Sequence, residues 1–146
     1  ARLKAQHGHA VANLTTFLVL HVKANKLGSV YTEAGYKLET NPDTVLGPDV
    51  SFLAHKRADE LSDQYYQGAP DVAVEVLSPS DWPARIQRKT DLWLSLGAKS
   101  VWVVNPKQRT VEVIRSNGER KLFHESDELV DDTVPGFHVP VSEIFN

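Results

Sequence analysis

Apolar residues recur along the chain with two different periods. Val11, Leu14, Leu18 and Val22 are spaced by three and four residues, which predicts a helix over residues 8–26. A "KLG" tripeptide at the end of this range supplies a helix stop. The N-terminal part of the chain is therefore expected to begin with one amphipathic helix.

Two almost continuous apolar runs predict strands. Residues 72–77 and 101–104 are rich in valine and contain few polar positions. Runs of this kind are typical of strands buried on both faces, in the middle of a sheet with helices above or below it. We therefore expect a central sheet covered by helices.

The remaining pattern completes a mixed α/β domain. Before the first valine-rich strand we expect an extended or hairpin segment at 29–39, a short strand at 49–54 and a polar loop at 55–70. After it we expect a helix starting at Ser80 or Asp81 and ending at Leu96, and a hairpin around Asn117-Gly118. The tail at 134–145 is predicted to be irregular and to pack on the core through Phe137, Val139, Val141 and Phe145. The order is helix, three strands, helix, strand and hairpin. With no repeat or linker, residues 1–146 are predicted to form one domain.

Composition narrows the class of protein. The chain is 41% hydrophobic and 24% charged, as expected for a soluble globular domain. Its net charge of -3 gives no broad electrostatic reason to bind nucleic acid or an acidic membrane. A nucleic-acid partner would therefore need a local basic patch or a bound cation.

The residue types that are missing add further expectations. The sequence has no cysteine, which excludes disulfides and thiolate catalysis and is compatible with the cytoplasmic location that we expect. No apolar stretch approaches the ~20 residues of a membrane span, so no membrane association is expected. Because the sequence has no Met and opens on "ARLKAQHGHA", we expect its natural start to lie upstream.

A carboxylate interrupts the strongest predicted strand. Alternation places Asp71, Ala73, Glu75 and Leu77 on one face of this strand and its valines on the other. A buried carboxylate costs several kcal/mol unless it is paired or holds a metal. Glu75 therefore has either a structural salt bridge to a covering helix or a functional role.

The helix that follows contains a matching anomaly. Ile86, Trp93 and Leu96 form its apolar stripe, and Lys89 lies in the middle of that stripe. Asp49, in a second Pro-Asp-Val, opens a strand that could pair beside Glu75. Two carboxylates and a lysine suit Mg²⁺-dependent phosphodiester hydrolysis, because Mg²⁺ prefers oxygen ligands and substrate phosphates.

Six segments spread over nearly the whole chain carry a family resemblance: "HGHAVANL", "EAGYKL", "GPDVSFL", "GAPDVAVEVLSPSD", "K…LWLSLGAKSVWVV" and "VPGFHVPVSEIF". In these segments the chain resembles the PD-(D/E)xK nuclease superfamily and, within it, the Uma-type family of "putative restriction endonucleases". The resemblance implies a restriction-endonuclease-like mixed β-sheet core of order αβββαβ, with the C-terminal β-hairpin as an addition. It also implies an endonuclease acting on nucleic acid, most naturally DNA.

The resemblance implies roles for individual residues. Asp49 and Glu75 would be the two acidic motif residues, and both would ligate Mg²⁺, or Mn²⁺ in its place, together with the Val76 carbonyl. The superfamily lysine normally lies two residues after the glutamate, where this chain has Leu77. Lys89 is the natural replacement, as in families whose lysine has moved to the following helix.

Four further residues are secondary candidates. Glu33 matches a family position on the first strand and could add a water-mediated metal contact, although an exposed strand carboxylate explains it equally well. His7, near the start of the first helix, is a candidate for contact with phosphate or metal. Arg85 and Arg88 are candidate phosphate contacts, with a solvated helix face as the alternative.

Other polar and aromatic residues are assigned structural roles. Asp71 lies about 13 Å along the strand from Glu75, too far to share one ion, so it is expected to cap a loop or strand. Ser78 and Ser80 are expected at the helix entry, and Trp82 and Trp93 in the core rather than as base-stacking surfaces. Five histidines show no metal-ligand spacing and are expected to be structural: His9, His21, His55, His124 and His138.

Three functional hypotheses stay open at this point. The first is the metal-dependent nuclease, for which a homodimer is compatible because double-strand cutting by a small domain often needs two copies. The second is a nucleic-acid-binding or regulatory module with weak or no catalysis, which the acidic net charge and the displaced lysine favour. The third is a purely structural ion pair between Glu75 and Lys89.

Overall fold

The structure is a computed structural model that describes residues 2–39, 44–55 and 66–146. In chain order its elements are α1 (Arg2–Ala24), β1 (Gly28–Thr32), β2 (Tyr36–Glu39), β3 (Thr44–Leu46), β4 (Val50–Ala54), β5 (Tyr66–Gln67), β6 (Val72–Val76), α2 (Pro83–Ser95), β7 (Ser100–Asn105), β8 (Thr110–Arg115), β9 (Arg120–Phe123), β10 (Glu128–Val130), β11 (His138–Pro140) and α3 (Val141–Phe145).

A six-stranded sheet of order β1-β4-β6-β7-β8-β9 forms the centre of the fold. The β6–β7 pair is parallel, as its crossover through α2 requires, and the other neighbours are antiparallel. Along this sheet the chain runs α1, β1, β4, β6, α2 and β7, so the predicted αβββαβ core is confirmed. The predicted hairpin is also confirmed, because β8 pairs with β9.

The two faces of β6 pack against different helices, as its alternation predicts. Val72, Val74 and Val76 are buried in the larger apolar cluster, which contains the inward stripe of α1. Ala73, on the other face, belongs to a smaller cluster with Trp93 of α2. Glu75 therefore lies between the sheet and α2.

Three predictions about the first half of the chain need correction. The first helix begins at Arg2 rather than at residue 8. For segment 29–39 the hairpin alternative is wrong and the extended one is right, since β1 joins the main sheet and β2 a separate three-stranded sheet with β3 and β5. The two strands diverge at Glu33, which has a left-handed φ of 55°. The predicted loop at 55–70 ends in β5, and its residues 56–65 lie outside the described residues.

The predicted helix cap at Ser80 or Asp81 is wrong. The residue before α2 is Trp82, which makes no side-chain cap hydrogen bond, and Pro83 starts the helix. The Asp81 carboxylate instead accepts hydrogen bonds from the Ser78 backbone N–H at 2.7 Å and from its hydroxyl at 3.1 Å. Asp81 thus closes the turn that leads into the helix.

The C-terminal tail is more regular than predicted. β10 and β11 pair as a small antiparallel ladder, and α3 follows them. Phe137, Val139 and Val141 are buried in the larger cluster, and Phe145 packs against it, so their predicted packing is confirmed. Among the helices that the structure describes, none combines the length and apolar character needed to span a bilayer.

Asp131 links this tail to the main sheet through hydrogen bonds and an ion pair. Burial opposes ionisation of its carboxyl, but hydrogen bonds from Ser100, Trp102 and Thr133 outweigh burial and lower its pKa. The Trp102 Nε1–H donates to Asp131 Oδ2 at 2.8 Å, and Arg115 lies 3.3 Å from Oδ1. A lowered pKa gives stability that is present above the unfolded-state pKa and is lost as pH falls through the folded-state pKa.

Asp131→Ala is expected to destabilise the fold by about 3–5 kcal/mol, because it leaves a buried indole N–H and hydroxyl without their acceptor. Urea unfolding at pH 7 measures this loss. The difference from wild type should shrink as the pH is lowered towards and below 3.8, the ordinary pKa of the carboxyl. A loss that is independent of pH would contradict a role for the ionised carboxylate.

Candidate active site

Pairing of β4 with β6 brings the two Pro-Asp-Val segments together. Val50 lies opposite Val74 in an antiparallel register, which confirms the predicted pairing. Asp49, just before β4, accepts a hydrogen bond from the Val76 backbone N–H to its Oδ2 at 2.8 Å. The Asp49 carboxylate is therefore held against the peptide unit that directly follows Glu75.

Glu75 is enclosed between the sheet and α2. Its side chain is 7% exposed, and the Lys89 Nζ lies 3.7 Å from its Oε2. The Trp93 Nε1–H donates to Oε1 at 3.1 Å. Lys89 thus lies on the inward side of α2, as the sequence pattern predicts, and it forms the ion pair that the structural hypothesis expects.

Opposing effects act on the pKa of Glu75. Burial raises this pKa most strongly, while the Lys89 charge and the Trp93 hydrogen bond lower it. The negative charges of Asp49 and Asp81 raise it further, so the net shift is upward. The carboxylates at this end of β6 therefore repel one another, and a cation between them would offset that repulsion.

A second layer of contacts supports the Glu75 side chain. The Trp93 indole meets the ring of Tyr36 edge to face, with centroids 6.0 Å apart. The Tyr36 and Ser51 hydroxyls hydrogen-bond at 2.6 Å. Because Tyr36 is in β2 and Ser51 in β4, these contacts link the small sheet, the main sheet and α2 behind Glu75.

An open cavity lies beside Asp49. It has a volume of about 470 Å³, and His7, Thr32, Glu33 and Asp49 are among the residues that line it. His7 Nε2 lies 3.5 Å from Asp49 Oδ2. The structure thus brings both secondary candidates, His7 and Glu33, to the Asp49 side of the site, while Glu75 and Lys89 do not line this cavity. The roles of all these residues remain predictions.

The donor set fits a hydrated Mg²⁺ rather than a closed metal cage. The described residues contain no group of three or more His, Cys, Asp or Glu side chains arranged to hold a metal ion. Asp49 and Glu75 offer carboxylate oxygens, and Val76 adds a backbone carbonyl at the end of β6. Mg²⁺ is commonly bound through one or two carboxylates together with water and substrate phosphates.

The remaining candidates fall outside this pair of acids. Arg85 and Arg88 are exposed on α2. Asp71 lies at the opposite end of β6, where its Oδ2 accepts the Ala54 backbone N–H at 2.8 Å, and Lys99 is 3.9 Å from its Oδ1. The predicted capping role of Asp71 is confirmed by this backbone contact.

A larger cavity, of about 590 Å³, lies at the Asp71 end of the sheet and is lined partly by Lys99 and Arg115. These cations face the buried carboxylates of Asp71 and Asp131 at 3.9 Å and 3.3 Å. Because its charges are paired with one another, this cavity is a weaker candidate for chemistry than the one beside Asp49.

The sequence interpretation missed two features of the site. Asp81, assigned there to helix capping, adds negative charge near Glu75. Trp82, predicted in the core, is 73% exposed, whereas Trp93 is buried as predicted. The available signal was the position of Trp82 between Pro79 and Pro83, which favours a loop rather than a packed element.

Comparison with known proteins supports a family assignment. The family model described as "Uma2: Putative restriction endonuclease" matches residues 1–142. The chain belongs to the Uma2 family. The resemblance to the Uma-type family expected from the sequence is therefore confirmed, and the family description places the chain among nucleases.

A solved structure agrees with the Uma2 assignment at the level of the fold. The chain superposes on the crystal structure of a putative nuclease belonging to DUF820 from Anabaena variabilis, with a TM-score of 0.83 and 20% sequence identity. The match covers 96% of this chain and 80% of that one. No curated protein of assigned function matches the sequence.

Proposed function

We propose that this Uma2 protein is a Mg²⁺-dependent endonuclease that hydrolyses phosphodiester bonds in DNA. The observation that carries the proposal is the hydrogen bond from the Val76 N–H to Asp49, which holds the Asp49 carboxylate against the end of β6, the strand that carries Glu75. Lys89 lies within 3.7 Å of the second carboxylate. Two acids and one amine are the chemical groups that this reaction needs.

The protein residues have distinct parts in the proposed reaction. Asp49, Glu75 and the Val76 carbonyl would hold Mg²⁺, which supplies a water of lowered pKa and offsets charge on the scissile phosphate. The Lys89 ammonium would orient the attacking water and stabilise negative charge developing on the phosphate. The Trp93 N–H holds one Glu75 oxygen, which fixes how the carboxylate is presented.

Positive charge near the site suits a polyanionic substrate. Arg85, Arg88 and Lys89 lie in the first turns of α2, and this helix has no acidic residue before Asp91. On a chain of net charge -3, this short basic segment is the local patch that nucleic-acid binding requires. His7 and Glu33 would line the opposite, Asp49 side of the substrate.

Metal dependence provides the direct test. Wild-type protein with Mg²⁺ or Mn²⁺ is expected to nick supercoiled plasmid, and EDTA should abolish the cutting because two carboxylates alone cannot activate water. Gel electrophoresis of plasmid, single-stranded DNA and RNA substrates measures the activity and its preference. Activity that persists in EDTA would contradict the metal site, and RNA as the preferred substrate would contradict the proposed DNA specificity.

A nucleic-acid-binding or regulatory module is the second candidate. One observation favours it: the Glu75 side chain is 7% exposed and lies in an ion pair with Lys89. If wild type binds DNA but leaves every DNA and RNA form intact with both metals, this candidate replaces the nuclease. Sedimentation with and without DNA tests whether either function involves a homodimer.

A further inference from the structure

Trp82 is a large apolar side chain on the surface next to the candidate active site. It is 73% exposed, whereas Trp93 and Trp102 are 1% and 0% exposed. Its neighbour Asp81 is close enough to Glu75 to influence the pKa of that carboxyl. An exposed indole has a large apolar face and one N–H donor, both of which are available to a ligand that binds at this edge of the site.

The turn that carries Trp82 is well held. Asp81 accepts two hydrogen bonds from Ser78, and Pro83 immediately begins α2. A side chain presented by such a turn loses little conformational freedom when a ligand stacks on it. Trp82 is therefore a stacking platform whose backbone is fixed at the start of α2.

A cavity of about 260 Å³ adjoins the indole. Its walls include Leu77, Asp81, Trp82, Thr90 and Arg120. Glu75 and Lys89 do not line this cavity, but Leu77 lies two residues beyond Glu75 at the end of β6, and Glu112, paired with Arg120, also lines it. An occupant would therefore lie next to the end of β6.

One of the polar groups that line this cavity lacks a hydrogen-bond partner within the described part of the chain. Thr90 is 1% exposed, and its hydroxyl has no hydrogen-bond partner among the described residues. An unsatisfied buried hydroxyl is unfavourable, and a polar ligand edge that reached it would supply the missing hydrogen bond.

We propose that Trp82 stacks on a base of the nucleic-acid strand held at the Asp49–Glu75 site, with the base edge turned towards the cavity lined by Thr90. The proposal rests on the proposed nuclease function, since that function places a strand here. Aromatic stacking tolerates any base, because every base has a π-face. The platform therefore positions the strand without reading its sequence.

Tryptophan fluorescence tests this contact without requiring cleavage. A single-stranded DNA oligonucleotide of about ten nucleotides is titrated into the Glu75→Gln variant in the presence of Mg²⁺. Acrylamide, which quenches the emission of exposed tryptophans, then measures how accessible the indole is. The oligonucleotide is expected to quench this emission and to shield it from acrylamide. Because the other two tryptophans are buried, the response should disappear in Trp82→Leu.

Affinity gives the second measurement. Trp82→Leu is expected to weaken oligonucleotide binding between about fivefold and 150-fold, the range for loss of one base–aromatic stack. Trp82→Phe should retain most of the binding. Leu20→Ala removes a 65% exposed apolar side chain from α1 and should bind like the parent. Circular dichroism checks that each variant folds.

The outcomes separate this inference from the proposed function. If Trp82→Leu binds within about twofold of the parent, or if saturating oligonucleotide leaves the Trp82 emission unchanged, the stacking proposal is overturned. Wild type that cuts DNA with no response from Trp82 would refute the stacking and keep the nuclease. Oligonucleotide-dependent quenching in a wild type that cuts nothing would support the stacking and refute the nuclease.

Discussion

Glu75→Gln is expected to reduce DNA cleavage by at least about a hundredfold while the fold is retained. Glutamine has the shape of glutamate and can still accept the Trp93 N–H, so the packing of the site is kept. It removes the negative charge that would hold Mg²⁺. Asp49→Asn should also reduce cleavage and keep the fold. The asparagine amide oxygen can still accept the hydrogen bond from the Val76 N–H, but the negative charge that would hold Mg²⁺ is lost.

Plasmid nicking under initial-rate conditions measures this loss, with Glu119→Gln as the matched control. Glu119 is an exposed glutamate in the turn between β8 and β9, remote from the acids of the site. Glu75→Gln retaining wild-type activity would remove this carboxylate from the mechanism. Equal losses in Glu75→Gln and Glu119→Gln would point to a general effect of charge.

Stability of Glu75→Ala distinguishes the nuclease from the structural ion pair. If Glu75 serves only to neutralise Lys89, its removal should cost about 3–5 kcal/mol, because a partly buried amine is stranded. If it also belongs to a cluster of repelling acids, its removal relieves repulsion with Asp49 and Asp81. This relief should offset much of the cost of stranding Lys89 and the Trp93 N–H, and the loss should be clearly smaller. Urea unfolding without metal separates the two results.

Lys89→Met is expected to reduce the cleavage rate by about a hundred- to a thousandfold, with a much smaller effect on KM. Methionine keeps most of the aliphatic length of lysine and removes its charge, so the loss reports on the ammonium group. Lys107→Met, at an exposed lysine in the turn between β7 and β8, is the matched control.

Moving the lysine from position 89 to position 77 makes this second prediction more specific. Leu77 is the first residue after β6, two residues beyond Glu75 and about 7 Å away if the strand spacing continues. Leu77→Lys in the Lys89→Met background is therefore expected to restore part of the lost activity. If Lys89→Met cuts DNA at the wild-type rate, the proposed part of Lys89 in catalysis is wrong. If Lys89→Met is inactive and Leu77→Lys restores nothing, the position of the amine matters as well as its charge.

The sequence predicts most of the core because its signals there are local. The alternation in 72–77 identifies both the valine face and the Glu75 face of β6, and Lys89 stands out as a charge within the apolar stripe of α2. The repeated Pro-Asp-Val also predicts that the strand opened by Asp49 pairs with β6, as it does. These features depend on strand and helix periods that are visible in short windows.

The sequence predicts less where tertiary contacts decide the outcome. Segment 29–39 contains two strand-like stretches, but the left-handed turn at Glu33 that sends them into different sheets has no clear signal in a non-glycine residue. Trp82 was assigned to the core because an indole usually is buried, whereas the turn closed by Asp81 turns it outwards. Burial of an isolated aromatic depends on neighbours that are distant in sequence.

The contacts behind Glu75 limit how far this protein could be shortened. The six-stranded sheet with α1 and α2 contains every proposed metal ligand, which would suggest that β2 is dispensable for an engineered minimal domain. However, Tyr36 of β2 packs edge to face on the indole of Trp93, and this indole donates a hydrogen bond to Glu75. Removing β2 would leave Trp93 without this edge-to-face support, so the smallest working unit includes a strand that contributes no residue to the site itself.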